Sequence, residues 1–176
     1  MNREVVSIDE SYWVIPDTFR AGRYPAAGEE IETRKKLRWL LKQGINFIID
    51  LTEEGEAEST PYLKLLQDEA KKNRLNIIYQ RIPIQDFSTP STERITQILD
   101  EIDAAINKGK HIYLHCQGGK GRTGLLVGCY LARHGDQGQR ALVKLQSLRK
   151  KMPGGKESSP ETEGQVRMVL EWKQGQ

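Results

Sequence analysis

Residues 115–124 read His115-Cys116-Gln117-Gly118-Gly119-Lys120-Gly121-Arg122-Thr123-Gly124, between one apolar run and another. Gly118, Gly119 and Gly121 let backbone N–H groups turn inward and form an anion-binding nest. The start of the following helix adds partial positive charge to it. Arg122 offers a planar fork matched to two phosphate oxygens. At the mouth of such a ring, near Arg122, the Cys116 thiol is pushed towards its nucleophilic thiolate. The donors that bind a phosphate thus activate the nucleophile beneath it. The loop is not a Walker loop, because no Gly-Lys-[Ser/Thr] closes it. The plain alternative for Cys116 is a buried structural cysteine.

The flanking pattern supplies the elements that must position this loop. Lys110 to His115 predicts a strand, and Arg122 to His134 a helix apolar almost all round, hence central and buried. Tyr12–Ile15 reads as a strand followed by a Pro16-Asp17 turn, and 29–43 as a helix with Leu37, Leu40 and Leu41 on one face and Gly44 as its stop. Ile45–Leu51 is a strand buried on both faces. Thr60 is expected to cap a helix with Pro61 at its first position and Leu63, Leu66 and Ala70 on its core face. Leu75–Ile84 is a further strand. Ile95, Ile98, Leu99, Ile102 and Ile106 set a helix over 91–107. Gln139–Lys151 and Pro160–Lys173 are two more helices, separated by Pro153-Gly154-Gly155, expected to be flexible. Alternating strands and helices predict an α/β fold: a mixed or parallel sheet of four to five strands with helices on both faces. In such sheets ligands bind beyond the carboxyl ends of the strands, where the Cys116 loop falls.

Composition bounds the class. A chain of 176 residues, 37% hydrophobic and 29% charged, suits one domain spanning 1–176 with a real core. The longest apolar run, 125–132, is far too short to cross a bilayer. The stretch MNREVVSIDE carries acids and no apolar segment, so no signal peptide is expected. Two cysteines fit a reducing cytoplasm. Between Lys108 and Lys156 lie eleven Lys or Arg and one acid, Asp136, in a chain of net charge +3. That asymmetry suggests an anionic ligand, or simply a solvated helix face.

His-Cys, five residues, Arg and then Thr resembles the signature of the cysteine-dependent protein tyrosine phosphatases, including their dual-specificity branch. The resemblance covers most of the chain and implies a phosphatase-type fold and a metal-independent reaction with no cofactor. It implies Cys116 as the nucleophile that forms a phosphocysteine. Gln117, Gly118, Gly119, Lys120 and Gly121 would bind the phosphate with Arg122, which also stabilises transition-state charge. Thr123 would donate its hydroxyl to the departing sulfur, and His115 would orient the cysteine, or simply pack at the strand end. The family places a general acid on a loop about thirty residues earlier, and Asp86, thirty residues before Cys116, fits. Asp50 also follows a strand but lacks the spacing, and Asp100 and Asp103 fall inside a helix.

Two weaker likenesses complete the reading. Residues 20–25, Arg-Ala-Gly-Arg-Tyr-Pro, resemble a loop that approaches the site in related phosphatases, or form a structural turn. Residues 160–165 resemble a Gln-Thr-x-x-Gln segment that positions the hydrolytic water, with Glu161 replacing the first glutamine and Gln165 matching the second; an ordinary helix start serves as well. Cys129 is expected to be a small core residue, too far from Cys116 for a disulfide.

The expected activity is hydrolysis of phosphotyrosine in proteins, with phosphoserine and phosphothreonine as further substrates. Lipid or inositol phosphates are the alternative: Lys120 resembles the basic loop of phosphoinositide phosphatases, but Gln117 stands where they carry a second lysine. A phosphate-binding module without catalysis is disfavoured by the joint presence of Cys116, Arg122 and Asp86, and a rhodanese-like transferase by the spacing. The expected setting is a cytoplasmic monomer acting on a phosphorylated protein or small phosphomonoester, without nucleic acid or integral membrane contact.

Overall fold

The structure, a computed structural model, describes residues 9–26, 28–56 and 61–176. Five strands, β1 (Ser11–Ile15), β2 (Phe19–Gly22), β3 (Phe47–Asp50), β4 (Ile78–Arg81) and β5 (Ile112–His115), form one sheet in the order β1-β2-β5-β3-β4. β1 runs antiparallel to β2, and the other neighbours are parallel.

Side chains alternate across the inner strands with the period of two that a pleated strand imposes. Phe47, Ile49, Ile112 and Leu114 face one core, whereas Ile48 and Tyr113 face the other. The first core is closed by α3 (Thr92–Asn107), α4 (Arg122–Arg133), α5 (Gln139–Arg149) and α6 (Glu163–Glu171), and the second by α1 (Glu30–Lys42) and α2 (Leu63–Lys72). Burying each Leu or Ile contributes about 1.5–3 kcal/mol. Both faces of the sheet are thus covered, as the run of apolar residues in β3 predicts.

Several boundaries differ from the sequence reading. The Thr60 cap lies outside the described residues, and α2 begins at Leu63 after Tyr62, so Pro61 precedes the helix. The predicted 75–84 strand contracts to β4, an edge strand with Ile78 exposed; Ile82 and Ile84 are buried beyond its end. α6 starts at Glu163, capped by the Thr162 hydroxyl. The Pro153-Gly154-Gly155 joint is pinned: Gly155 N–H donates to Met152 O and Gln146 Nε2 to Gly155 O. Among the described residues no helix is long and apolar enough to cross a membrane.

Register explains the placement of the site. Gly22 and Asp50 both pair with His115, and Asp50 with Arg81. The four parallel strands therefore end at one edge, and the chain that follows each of them starts there.

Candidate active site

The loop from Cys116 to Gly121 leaves β5 and enters α4 at Arg122. Gly119 has φ +68, a left-handed conformation that favours glycine. A Cβ there would also lie 2.6 Å from the backbone carbon of Gly22. The backbone between β2 and Tyr24 thus presses directly on the loop, and Tyr24 N–H donates to Gln117 O at 3.1 Å. From the other side the Ser159 hydroxyl donates to Lys120 O at 2.7 Å. The 20–25 segment does approach the loop, although its first half is strand β2, which the sequence did not reveal.

Cys116 is 2% exposed, at the loop's base. Arg122, 1% exposed, is held by Nη1 donating to Ile84 O at 3.0 Å and, at 3.4 Å, to Leu51 O. Its fork is occupied by a carboxylate that sequence reasoning missed: Nη1 donates to Glu56 Oε2 at 2.7 Å and Nη2 to Glu56 Oε1 at 2.5 Å. These bonds outweigh burial and hold the Glu56 carboxyl below its usual range. Glu56 lies 66 residues from Arg122, and no local pattern marks it.

Asp86 is brought to the same guanidinium, its Oδ1 lying 3.2 Å from Arg122 Nη2. The carboxylate, on a half-exposed side chain, also accepts from Phe87 N–H at 3.0 Å. The turn around it is closed by Ser88 O–H and N–H to Gln85 O. Gln165 fixes that turn against α6: its Nε2 donates to Ser88 O at 3.0 Å, and its Oε1 accepts from the N–H groups of Glu161 and Thr162. The Gln165 amide therefore serves as a brace for the Asp86 loop. Glu161 faces the Cys116 loop, with Oε1 3.0 Å from Lys120 Nζ. Thr123 is fully buried, and its hydroxyl has no hydrogen-bond partner among the described residues, so no bond to Cys116 Sγ is present.

Behind Cys116 lies a buried polar chain. His115 Nε2 meets the Tyr62 hydroxyl at 2.6 Å, and Nδ1 lies 3.3 Å from Cys116 O. Burial pushes the His115 pKa down despite nearby Asp50, so the ring is neutral. Asp50, also fully buried, accepts from Thr52 N–H and O–H and from the Tyr79 hydroxyl. Burial works against its charge, but these hydrogen bonds hold its pKa down. Asp50 is thus committed to the sheet edge, and Asp100 and Asp103 pair with Arg133. Cys129 is fully buried in α4, and burial pushes its thiol up.

Four cations of the basic stretch are paired with carboxylates. Arg122 and Lys120 are each shared between two carboxylates, Arg133 pairs with Asp100 and Asp103, and Lys144 with Asp136.

A family model described as Tc-R-P, a polymorphic toxin system DSP-PTPase phosphatase, matches residues 25–136. The chain is similar to putative tyrosine phosphatase 067L of Invertebrate iridescent virus 3, with 30% identity over 129 residues, 71% of this chain and 47% of that protein. It spans about half the length of this viral relative and 16% of protein tyrosine phosphatase domain-containing protein 1 of Mus musculus. Among solved structures it resembles Tk-PTP in its active form, with TM-score 0.71 and 21% identity over 93% of this chain and 96% of that one. It also resembles PTPMT1 in complex with PI(5)P, with TM-score 0.66 and 16% identity over 93% of this chain and 94% of that one. At such identities the likeness shows the fold.

Proposed function

The chain belongs to the DSP-PTPase family of cysteine-dependent protein tyrosine phosphatases, and on that premise we propose that it hydrolyses phosphomonoesters through a phosphocysteine, with phosphotyrosine in proteins as its main substrate. The observation that carries this reading is the convergence of Cys116, Arg122 and Asp86 at one sheet edge, with Asp86 3.2 Å from the Arg122 fork. The tyrosine-phosphatase name of the viral relative supports the substrate class.

In the first step the substrate phosphate displaces Glu56 from Arg122 and takes both terminal nitrogens. Loop N–H groups from Gln117 to Gly121 hold the remaining oxygen charge. The Cys116 thiolate attacks phosphorus, the bond to the leaving oxygen breaks, and protonated Asp86 gives that oxygen its proton. In the second step water attacks phosphorus, Asp86 accepts its proton, and the P–S bond breaks with the electron pair returning to sulfur. The Thr123 hydroxyl, otherwise unpartnered, turns to donate to that sulfur. His115, neutral and tied to Tyr62, positions Cys116 through the backbone. A reducing, cytoplasmic setting suits the two free thiols.

A second reading, hydrolysis of inositol or lipid phosphates, is supported by the fold shared with PTPMT1, whose solved complex holds PI(5)P. The test is steady-state kcat/KM on phosphotyrosine, phosphoserine and phosphothreonine peptides beside phosphatidylinositol phosphates. Highest efficiency on phosphotyrosine peptides is expected; highest efficiency on the lipids selects the second reading.

A further inference from the structure

Lys120 is the one cation within loop residues 117–121, and so the side chain of that loop with a charge to offer a second phosphate on the same substrate. It is not free to do so. Its ammonium lies 2.8 Å from Glu157 Oε2 and 3.0 Å from Glu161 Oε1. We infer that Glu157 and Glu161 are specificity-determining residues, which hold Lys120 and thereby make the site select singly phosphorylated substrates over multiply phosphorylated ones. This inference rests on the phosphatase reading of the same loop and names its substrate class.

Individual exposed ion pairs are weak, so the arrangement around this one matters. Both carboxylates are carried on fixed backbone. Glu157 O accepts from Nη1 of the buried Arg149 at 2.8 Å. Glu161 N–H donates to Gln165 Oε1 at 3.1 Å. Between them Ser159 bonds to the carbonyl of Lys120 itself. The lysine and its two acids are therefore held at both ends. The hydrogen bonds that Lys120 donates to Glu157 and Glu161 raise its pKa, so the ammonium stays charged.

Two carboxylates occupy the one ammonium at the loop's rim. A lone phosphate on tyrosine enters beneath Arg122 and leaves this pairing intact. A second phosphate dianion must either displace both acids from Lys120 or sit beside their carboxylates. At physiological ionic strength charges interact over about 8 Å, enough for a neighbouring phosphate to sense them.

The test compares kcat/KM for inositol hexakisphosphate and for a phosphotyrosine peptide in wild type, Glu157→Gln, Glu157→Gln/Glu161→Gln, and that double variant with Lys120→Ala added. The ratio in favour of the inositol polyphosphate should rise on the order of tenfold in the double variant, partly in the single one, and fall back with Lys120→Ala. An unchanged ratio in the double variant overturns the inference, as does a gain that survives Lys120→Ala. A parallel measurement uses the same rim variants on Cys116→Ser and reads Kd for inositol hexakisphosphate relative to inorganic phosphate. If no variant turns over any phosphomonoester, the phosphatase reading fails while the Kd ratio still decides the role of the rim. If phosphotyrosine is hydrolysed but neither ratio moves, the rim inference fails and the phosphatase reading stands.

Discussion

Glu56 grips both terminal nitrogens of Arg122, the geometry that a phosphate needs from the same fork. Substrate binding is therefore an exchange of one anion for another. Glu56→Gln should lower the Kd for inorganic phosphate and vanadate several-fold. It should also cost about 1–3 kcal/mol of stability without ligand, because a buried guanidinium loses part of its compensation. Thermal unfolding with and without phosphate checks this: the Tm gap between wild type and variant should narrow when phosphate fills the fork, and an equal gap in both conditions contradicts it.

Acid should weaken the same pair. The Arg122 bonds hold the Glu56 pKa below its ordinary 4.5. A carboxylate depressed on folding contributes stability that is complete above the ordinary value and lost as pH falls through the folded one. Between pH 5 and pH 3, roughly, wild type should lose more Tm than Glu56→Gln. Parallel losses would show that the pair does not govern acid stability.

His115 supplies a second pH-dependent contribution, closer to neutrality. Its ring is neutral when folded because burial lowers its pKa from 6.5. The unfolded chain then binds more protons below that value, so stability is full above about 6.5 and declines as pH falls. His115→Asn should flatten this slope. Tyr62→Phe should cost about 1 kcal/mol by removing the partner of Nε2. Urea unfolding across pH 5–8 reads both, and a slope unchanged in His115→Asn would assign it to other groups.

Asp86 should matter in proportion to the need for a proton. Asp86→Asn is expected to slow hydrolysis of alkyl and phenyl phosphates by about 10²–10⁴-fold and of p-nitrophenyl phosphate much less. The basic limb of the pH–rate profile should flatten. Equal losses for good and poor leaving groups would give Asp86 a structural role instead.

Much of this architecture is legible in the sequence because it is local. The isoleucine stripe fixes α3, which the structure shows capped by Ser91, and glycine spacing around Cys116 fixes the loop. What escapes is non-local. Strand β2 was hidden because Arg20 and Gly22 read as loop. In the fold Arg20 is buried between the rings of Trp13 and Trp39 and donates to Ser11 and Asp9. Gly22 is required because a Cβ there would lie 2.5 Å from that of Ser11. Glu56 has no periodic or motif context, and only the closure of the β3 and β5 edges brings it to Arg122. Sequence also shows charges but not their partners, so the carboxylates on Lys120, Arg122, Arg133 and Lys144 escaped it.

Arg122→Lys keeps the charge but loses the two-pronged bond to phosphate and to Glu56. It is expected to reduce kcat by at least about 10²-fold. A variant with near wild-type kcat would mean that charge alone suffices.

The central claim, covalent transfer to Cys116, is tested most directly by rapid acid quench of the enzyme with a ³²P-labelled phosphotyrosine peptide. A phosphoenzyme labelled on Cys116, accumulating within the first turnover and absent from Cys116→Ser, is the expected result. Turnover with no labelled protein, or a Cys116→Ser enzyme that still hydrolyses the peptide, would contradict it.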